Sequence, residues 1–389
     1  MSTAPPPAPL TPLTVTTTTP QPSGTIKAAW TEAQVKDRMF WFKGFKDNKK
    51  GGVIFDDKDV LKKQQGVVKD IMLQLGAQLL SGKLAVRLSL PIRLFEPRSL
   101  LERIPDAWAY APTLLAKAAH ATEALDRLQH VMAFVVAGLH FCVGQSKPFN
   151  PILGETYQST FPDGTSVYLE HVQHHPPVSA YYVEGPLKLF TLSGQCEFEA
   201  HLAANTLVNA QTGTVKVQFA NGSEVQYAMP KFKMHGVVLG ERMFEFTGEC
   251  HFHDVSSDLR GTLDMDGNSS FLGRSHHDDI TGTIVAPATK KGAKPHVVAK
   301  LTGSWLNHLH ANGVVLWDMA TSPVYLHVPV ATPLPSDVRF RADLISLKQG
   351  DMDEAQRQKI VMEEDQRRDH RLRGHDDGGG NKRHSTPKR

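Results

Sequence analysis

The stretch that most constrains this chain is Glu170-His171-Val172-Gln173-His174-His175-Pro176-Pro177. Proline fixes its own φ, lacks an N–H, and pushes the residue before it out of the helical region. His175 is therefore held extended, and a metalloprotease-style HxxHH zinc helix is excluded locally. In an extended segment His174 and His175 point to opposite sides, unless a bend at the prolines brings both rings to one ligand. Two converging imidazoles suit a phosphate, which gains from several donors and from any protonation it induces. The competing account of such a pair is one packed ring and one solvated ring.

A second motif lies upstream: Lys147-Pro148-Phe149-Asn150-Pro151-Ile152-Leu153-Gly154-Glu155-Thr156. Prolines on both sides of Phe149-Asn150 stiffen the loop and hold the Lys147 ammonium and the Asn150 amide in fixed places. Taken together, the two segments resemble the signature of the oxysterol-binding protein family: a KPxNPxLGE-like loop and an E-x-x-x-HHPP core. The family's usual second motif is EQVSHHPP. This chain has His171 and Gln173 at the usual Gln and Ser positions and keeps Glu170, Val172, His174, His175, Pro176 and Pro177.

Composition agrees with a soluble protein. The chain has 389 residues, 40% hydrophobic and 21% charged, and a formal net charge of +3. That charge is too small to argue for nucleic acid, and it permits weak attraction to an anionic membrane. Three widely spaced cysteines, Cys142, Cys196 and Cys250, form no CxxC, which supports neither a zinc ribbon nor a disulfide framework and points to a reducing compartment. No apolar run is long enough to span a bilayer, and the N-terminus lacks a signal peptide's apolar core. A cytoplasmic protein in peripheral contact with membranes is expected.

Residues 1–29 are rich in Pro and Thr and read as a disordered tail, as does the Gly-, His- and charge-rich stretch 374–389. The domain runs over 30–373. It opens on aromatic residues among lysines, Trp30, Phe40, Trp41, Phe42 and Phe45, which suit either a membrane-touching element or packing against the domain. Helical spacing of Val67, Val68, Ile71, Met72, Leu75, Leu79 and Leu80, with Gly82 as a stop, predicts a helix over 60–81. Residues 98–143 are read as helical, with a strong apolar stripe from Leu125 to Phe141 that belongs in a core. From 156 to 330 the pattern turns to β, with short runs separated by Asp163-Gly164, Asn221-Gly222 and Asp266-Gly267. A C-terminal helix over 350–373 opens on Asp351 and Asp353 and carries Lys359, Glu363 and Arg367 at i, i+4 and i+8. The plain account of that ridge is a solvated salt-bridge ladder.

The fold class is α+β. The resemblance implies a large incomplete antiparallel β-barrel around an apolar lipid tunnel, with an N-terminal lid and helices and a C-terminal helix, in a short stand-alone form of fungal type. The helix over 60–81 and the segment Leu88-Ser89-Leu90-Pro91-Ile92 correspond by position to the lid, so Val67, Ile71, Leu75, Leu90, Pro91 and Ile92 are expected at the tunnel mouth. The resemblance also implies a headgroup site for phosphatidylinositol 4-phosphate. In it Lys147, His174, His175 and Arg367 contact phosphate, Asn150 and Glu363 contact inositol hydroxyls or orient the cations, and Lys359 serves the other phosphate or the basic rim. The implied partners are membrane lipids, with sterol or phosphatidylserine as the second cargo exchanged through the same tunnel. No enzyme, cofactor or metal is expected. Two other readings remain: a sterol or phosphoinositide sensor without net transport, and a metal-dependent hydrolase using His171, His174 and His175 or His276-His277-Asp278-Asp279. No GxSxG elbow or P-loop accompanies the latter.

Overall fold

The structure is a computed structural model that describes residues 44–75, 90–266, 276–288 and 294–372, with the backbone alone for residues 71–75. Both predicted tails, most of the N-terminal aromatic stretch, and residues 76–89 of the predicted lid region lie outside the described residues. Four helices matter for the site: α1 (Lys58–Leu75), α2 (Ala124–Cys142), α3 (Ala342–Lys348) and α4 (Met352–Leu372).

The alternating runs seen in the sequence all fall in strands, because period-two patterning suits a sheet with one buried face. Val215–Phe219, for example, alternates buried and exposed along its length. The ladders meet at one long strand, Phe190–Ala203. One edge of it pairs with Val178–Glu184. Its other edge forks, with the first part taking Val215–Phe219 and the second taking Thr206–Thr212. Gly194 sits at the fork opposite Tyr181, where an added Cβ would lie 2.5 Å from the Tyr181 hydroxyl.

Three antiparallel arms leave this fork. One runs back through Ser166–Gln173 and Thr156–Thr160 to Val328–Pro329. A second passes through Lys231–His235, Arg242–Thr247 and Val53–Phe55 to Phe45–Asp47. The third runs through the hairpins between Val215 and Asp318. Among the described residues each arm ends on a strand paired on one side only, so the barrel is incomplete, as expected.

Helix α2 carries apolar residues all round and packs across the third arm. Every residue from Val131 to Phe141 is buried. Ser99 caps the short helix Leu100–Arg103 through a capping box with Glu102. Helices α3 and α4 close the chain, and the Ile92 N–H donates to Gln356 Oε1 on α4 at 2.8 Å.

Candidate functional site

The rigid loop is fixed from beneath by a buried ion pair. Lys147–Phe149 forms a short parallel pair with Phe95–Ser99. Glu155, at the end of the loop, accepts from Ser99 Oγ at 2.5 Å, the Ile152 N–H at 3.0 Å and Arg341 Nη1 at 2.7 Å. Arg341 also donates to the Asn150 carbonyl at 2.8 Å and to Asp343, and its guanidinium lies 5.3 Å from the Phe149 ring centroid. Burial raises the Glu155 carboxyl above its ordinary pKa, and Arg341 pulls against that rise. The Glu155 carboxylate and the Arg341 guanidinium under the loop are thus each bonded several times, which holds the Asn150 backbone in place.

Above this platform two ammonium groups share one ring. The Nζ atoms of Lys147 and Lys359 each lie 5.3 Å from the Phe95 centroid. Lys147 donates to Asn150 Oδ1. Lys147 is exposed and lines the cavity described below. Burial, then Lys359 and Arg341, push its ammonium down to about 8, against the pull of Glu363. Lys359 is 5% exposed, so the ridge on α4 is no solvated ladder at this point. Its Nζ meets Glu363 Oε1 at 2.5 Å, and Arg367 Nη2 meets Glu363 Oε2 at 3.5 Å.

The histidines complete the arrangement. The strand Ser166–Gln173 ends where His174–Pro177 turn, because two prolines cannot donate to a ladder. His175 therefore sits in a turn, with a cis peptide to Pro176, and not in the extended segment expected. The turn brings the His174 and His175 rings to 4.7 Å between centroids. His171 is buried beneath them, with Nδ1 3.0 Å from Ser179 Oγ and Nε2 3.3 Å from His174 Nδ1. His370 of α4 meets His175 edge-on at 5.6 Å. Burial first, then the neighbouring imidazoles, push both His171 and His174 down to about 4, so both are neutral at pH 7. Glu363 is the one group whose field opposes the shift of both Lys147 and His174.

The seven residues singled out from the motifs thus form one connected cluster between the loop, the turn and α4. His171, His370, Arg341 and Phe95 belong to it too, and sequence reading had not placed them there. His370 extends the spacing of Lys359, Glu363 and Arg367 along one helix face, a signal that was present. Arg341 lies outside any motif and is recognised only through its buried partners.

A cavity of about 420 Å³ opens beside the cluster, with Lys147 and Pro148 in its wall. Its lining is largely apolar and includes Leu94, Ile104, Trp108, Phe141, Phe198 and Phe232. Of the expected mouth residues, Leu90 lines it. Val67 does not; Val68, one position on and about 100° round the helix, takes that place. Pro91 and Ile92 turn away to start a 3₁₀ turn, and Ile92 anchors to α4. The side chains of Ile71 and Leu75 lie outside the described residues.

The other metal candidate is structural. His277 Nδ1 meets Glu245 Oε2 at 2.7 Å, and Asp278 accepts the Gly52 N–H and the Ser304 hydroxyl. Among the described residues no group of three or more His, Cys, Asp or Glu side chains could hold a metal ion, and no helix is long and apolar enough to cross a membrane.

A curved sheet enclosing a largely apolar cavity, with basic side chains at its edge, suits a lipid-binding protein. Comparison with known proteins agrees. The pattern of the oxysterol-binding protein family matches residues 77–322. Oxysterol-binding protein 9 of Dictyostelium discoideum is 31% identical over 351 residues, which are 86% of this chain and 82% of that protein. Oxysterol-binding protein-related protein 5 of Mus musculus is 28% identical over 319 residues, but the match spans 36% of its length. Among solved structures, the Osh3 ORD of Saccharomyces cerevisiae in complex with PI(4)P superposes with a TM-score of 0.63 at 23% identity, covering 78% of this chain and 85% of that one. The Osh1 ORD domain in complex with cholesterol gives 0.65 at 20% identity, covering 89% of each. The chain belongs to the oxysterol-binding protein family, whose members are lipid-binding proteins and not enzymes.

Proposed function

We propose that the protein extracts phosphatidylinositol 4-phosphate from membranes and exchanges it for a second lipid carried in the same cavity. The observation that supports this most is the gathering of Lys147, Lys359, Arg367, His174 and His175 beside an apolar cavity, with Glu363 bonded to Lys359 and Arg367 among them. Glu363 bridges Lys359 and Arg367, and a phosphate monoester is an anion that several of these donors can meet at once. A bound phosphate favours protonation of His174, which burial otherwise holds neutral. Asn150, fixed by the loop, serves an inositol hydroxyl, and Glu363 orients the cations. The cavity supplies what an acyl chain needs. Moving such a chain from bilayer to water costs about 0.8 kcal/mol per CH₂, which an open groove would not offset. With no membrane-spanning helix among the described residues, contact with membranes is read as peripheral and the location as cytoplasmic. The Osh3 ORD, solved with PI(4)P, has the same fold and is consistent with this reading.

The test is extraction of phosphatidylinositol 4-phosphate from vesicles by a His174→Ala/His175→Ala double variant. Charge-assisted hydrogen bonds are worth about 1.5–3 kcal/mol each, so losing two lowers extraction by roughly a hundredfold or more. The circular dichroism spectrum stays that of the parent. Extraction at the parent level by a folded variant refutes the headgroup assignment.

A further inference from the structure

Among the described residues three arginines are buried, and one of them, Arg242, is bonded to no carboxylate. Arg127 is paired with Asp254 at 2.8 Å. Arg341 is paired with Glu155 and Asp343. Arg242 is the least exposed of the three at 3%, and it faces the cavity. Its Nε donates to the Gly236 carbonyl at 3.2 Å, and its Nη1 to Gln145 Oε1 at 3.2 Å and Met234 Sδ at 3.4 Å. Nη2 has only the Val237 carbonyl at 3.5 Å, a weak bond. All four partners are neutral.

A buried, uncompensated guanidinium is costly, and proteins keep one where a ligand completes the pair. Burial lowers the Arg242 pKa to about 10, with no nearby charge contributing, so the side chain is still a cation at pH 7. The carbonyls of Gly236 and Val237 hold its plane, and Gln145 holds it from the opposite side. The Gln145 amide in turn donates to Gln64 of α1, which is 8% exposed and lines the cavity. A guanidinium whose Nη2 is only weakly engaged, facing a largely apolar chamber, favours an oxyanion over a neutral sterol hydroxyl.

We propose that Arg242 is an anion receptor inside the cavity and that it selects, as second cargo, a glycerophospholipid whose phosphodiester or carboxylate it binds, in preference to a sterol. The proposal rests on reading the cavity as the lipid site, and it does not depend on how the cluster at Lys147 and the histidines is used. The competing role is purely structural, a clamp on the carbonyls of the 236–242 hairpin.

The experiment loads the full chain from phosphatidylcholine vesicles doped either with phosphatidylserine or with cholesterol, and quantifies bound lipid by mass spectrometry. The parent protein, Arg242→Met and Arg242→Lys are compared. The parent loads phosphatidylserine in preference to cholesterol. Arg242→Met loses phosphatidylserine loading by roughly tenfold or more, the worth of one charge-assisted contact, and keeps cholesterol loading within about twofold. Arg242→Lys restores part of the loss because it restores the charge. Carriage of phosphatidylcholine that also falls in Arg242→Met assigns the phosphodiester as the bound group; unchanged phosphatidylcholine assigns the serine carboxylate. Preference of the parent for cholesterol, or equal losses of both cargoes in Arg242→Met, overturns the proposal, and so does a misfolded Arg242→Met paired with an Arg242→Lys that loads both lipids normally. Failure of phosphatidylinositol 4-phosphate extraction in the parent overturns the headgroup reading alone and leaves this comparison intact.

Discussion

His171 and His174 are the side chains whose protonation the fold changes most clearly in the physiological range. Both are held at about 4, whereas an unfolded histidine titrates near 6.5. Between those values the unfolded chain binds more protons than the folded one, so stability rises with pH. Their contribution is fully present above about 6.5 and is lost as pH falls towards 4. Glu155, whose carboxyl burial raises, works in the opposite sense just above the ordinary carboxylate pKa. The clean measurement is therefore a difference: thermal melts from pH 4 to 7.5 of the parent and of His171→Asn, which keeps an amide to meet Ser179. The variant should show a shallower loss of Tm on acidification, and an identical slope would mean that His171 is not the buried neutral ring described. At this scale the sequence was legible wherever a side chain sat in a motif. Lys147, Asn150, His174 and His175 were found that way. Arg341 and Arg242 were not: the Glu155 that marks Arg341 lies 186 residues away in the chain, and what marks Arg242 is burial among neutral partners, which leaves no pattern in a sequence.

Elements were easier to read than their junctions. The strands announced by alternation and by Asp-Gly or Asn-Gly turns were legible, and so was α2 from its apolar density. The long strand Phe190–Ala203 was missed because its burial does not alternate cleanly: it serves two partners on one edge and changes face along its length. The entry of α4 into the site was legible from its spacing, but the burial of Lys359 depends on Phe95, which belongs to another element. Helix packing gives a test at this scale. Gly138 lies in the middle of α2, where the helix meets the turn Ile104–Trp108, and a Cβ added there would stand 2.3 Å from the Ala107 carbonyl oxygen. That atom is backbone and cannot rotate aside. Gly→Ala in a helix ordinarily gains about 1 kcal/mol from propensity. Here the clash should reverse the sign and destabilise by about 1–3 kcal/mol, the usual range for overpacking. Chemical denaturation of Gly138→Ala measures it, and a stabilised variant would show that α2 and the turn do not pack as closely as described.

For the molecule as a whole, the cavity decides what the cluster at its edge can be for. The same cations on a solid protein would suit only a phosphate; beside an apolar chamber they suit the headgroup of a lipid, as proposed above. The chamber itself was legible only through family resemblance, since an empty volume leaves no pattern in a sequence: its wall is built from alternate residues of many strands that also read as ordinary core. It can be removed without touching the cluster. Ala200 lines the cavity from the long strand, and its neighbours there, Phe198 and Leu202, are apolar. Ala200→Trp projects an indole into a space of about 420 Å³ whose wall includes Asn209, opposite Ala200 in the sheet, as an acceptor for the indole N–H, so Tm should hold or rise through the added contacts. Uptake of any two-chain lipid should fall by at least tenfold, because the indole and an acyl chain compete for one volume. Binding of soluble inositol 1,4-bisphosphate, which carries the charges without the chains, should stay within about twofold of the parent, since Lys147, Lys359, Arg367 and the histidine turn are untouched. The two measurements separate the parts of the molecule. Loss of both would mean that chamber and cluster are one mechanical unit, and retention of lipid uptake would place the acyl chains somewhere other than this cavity.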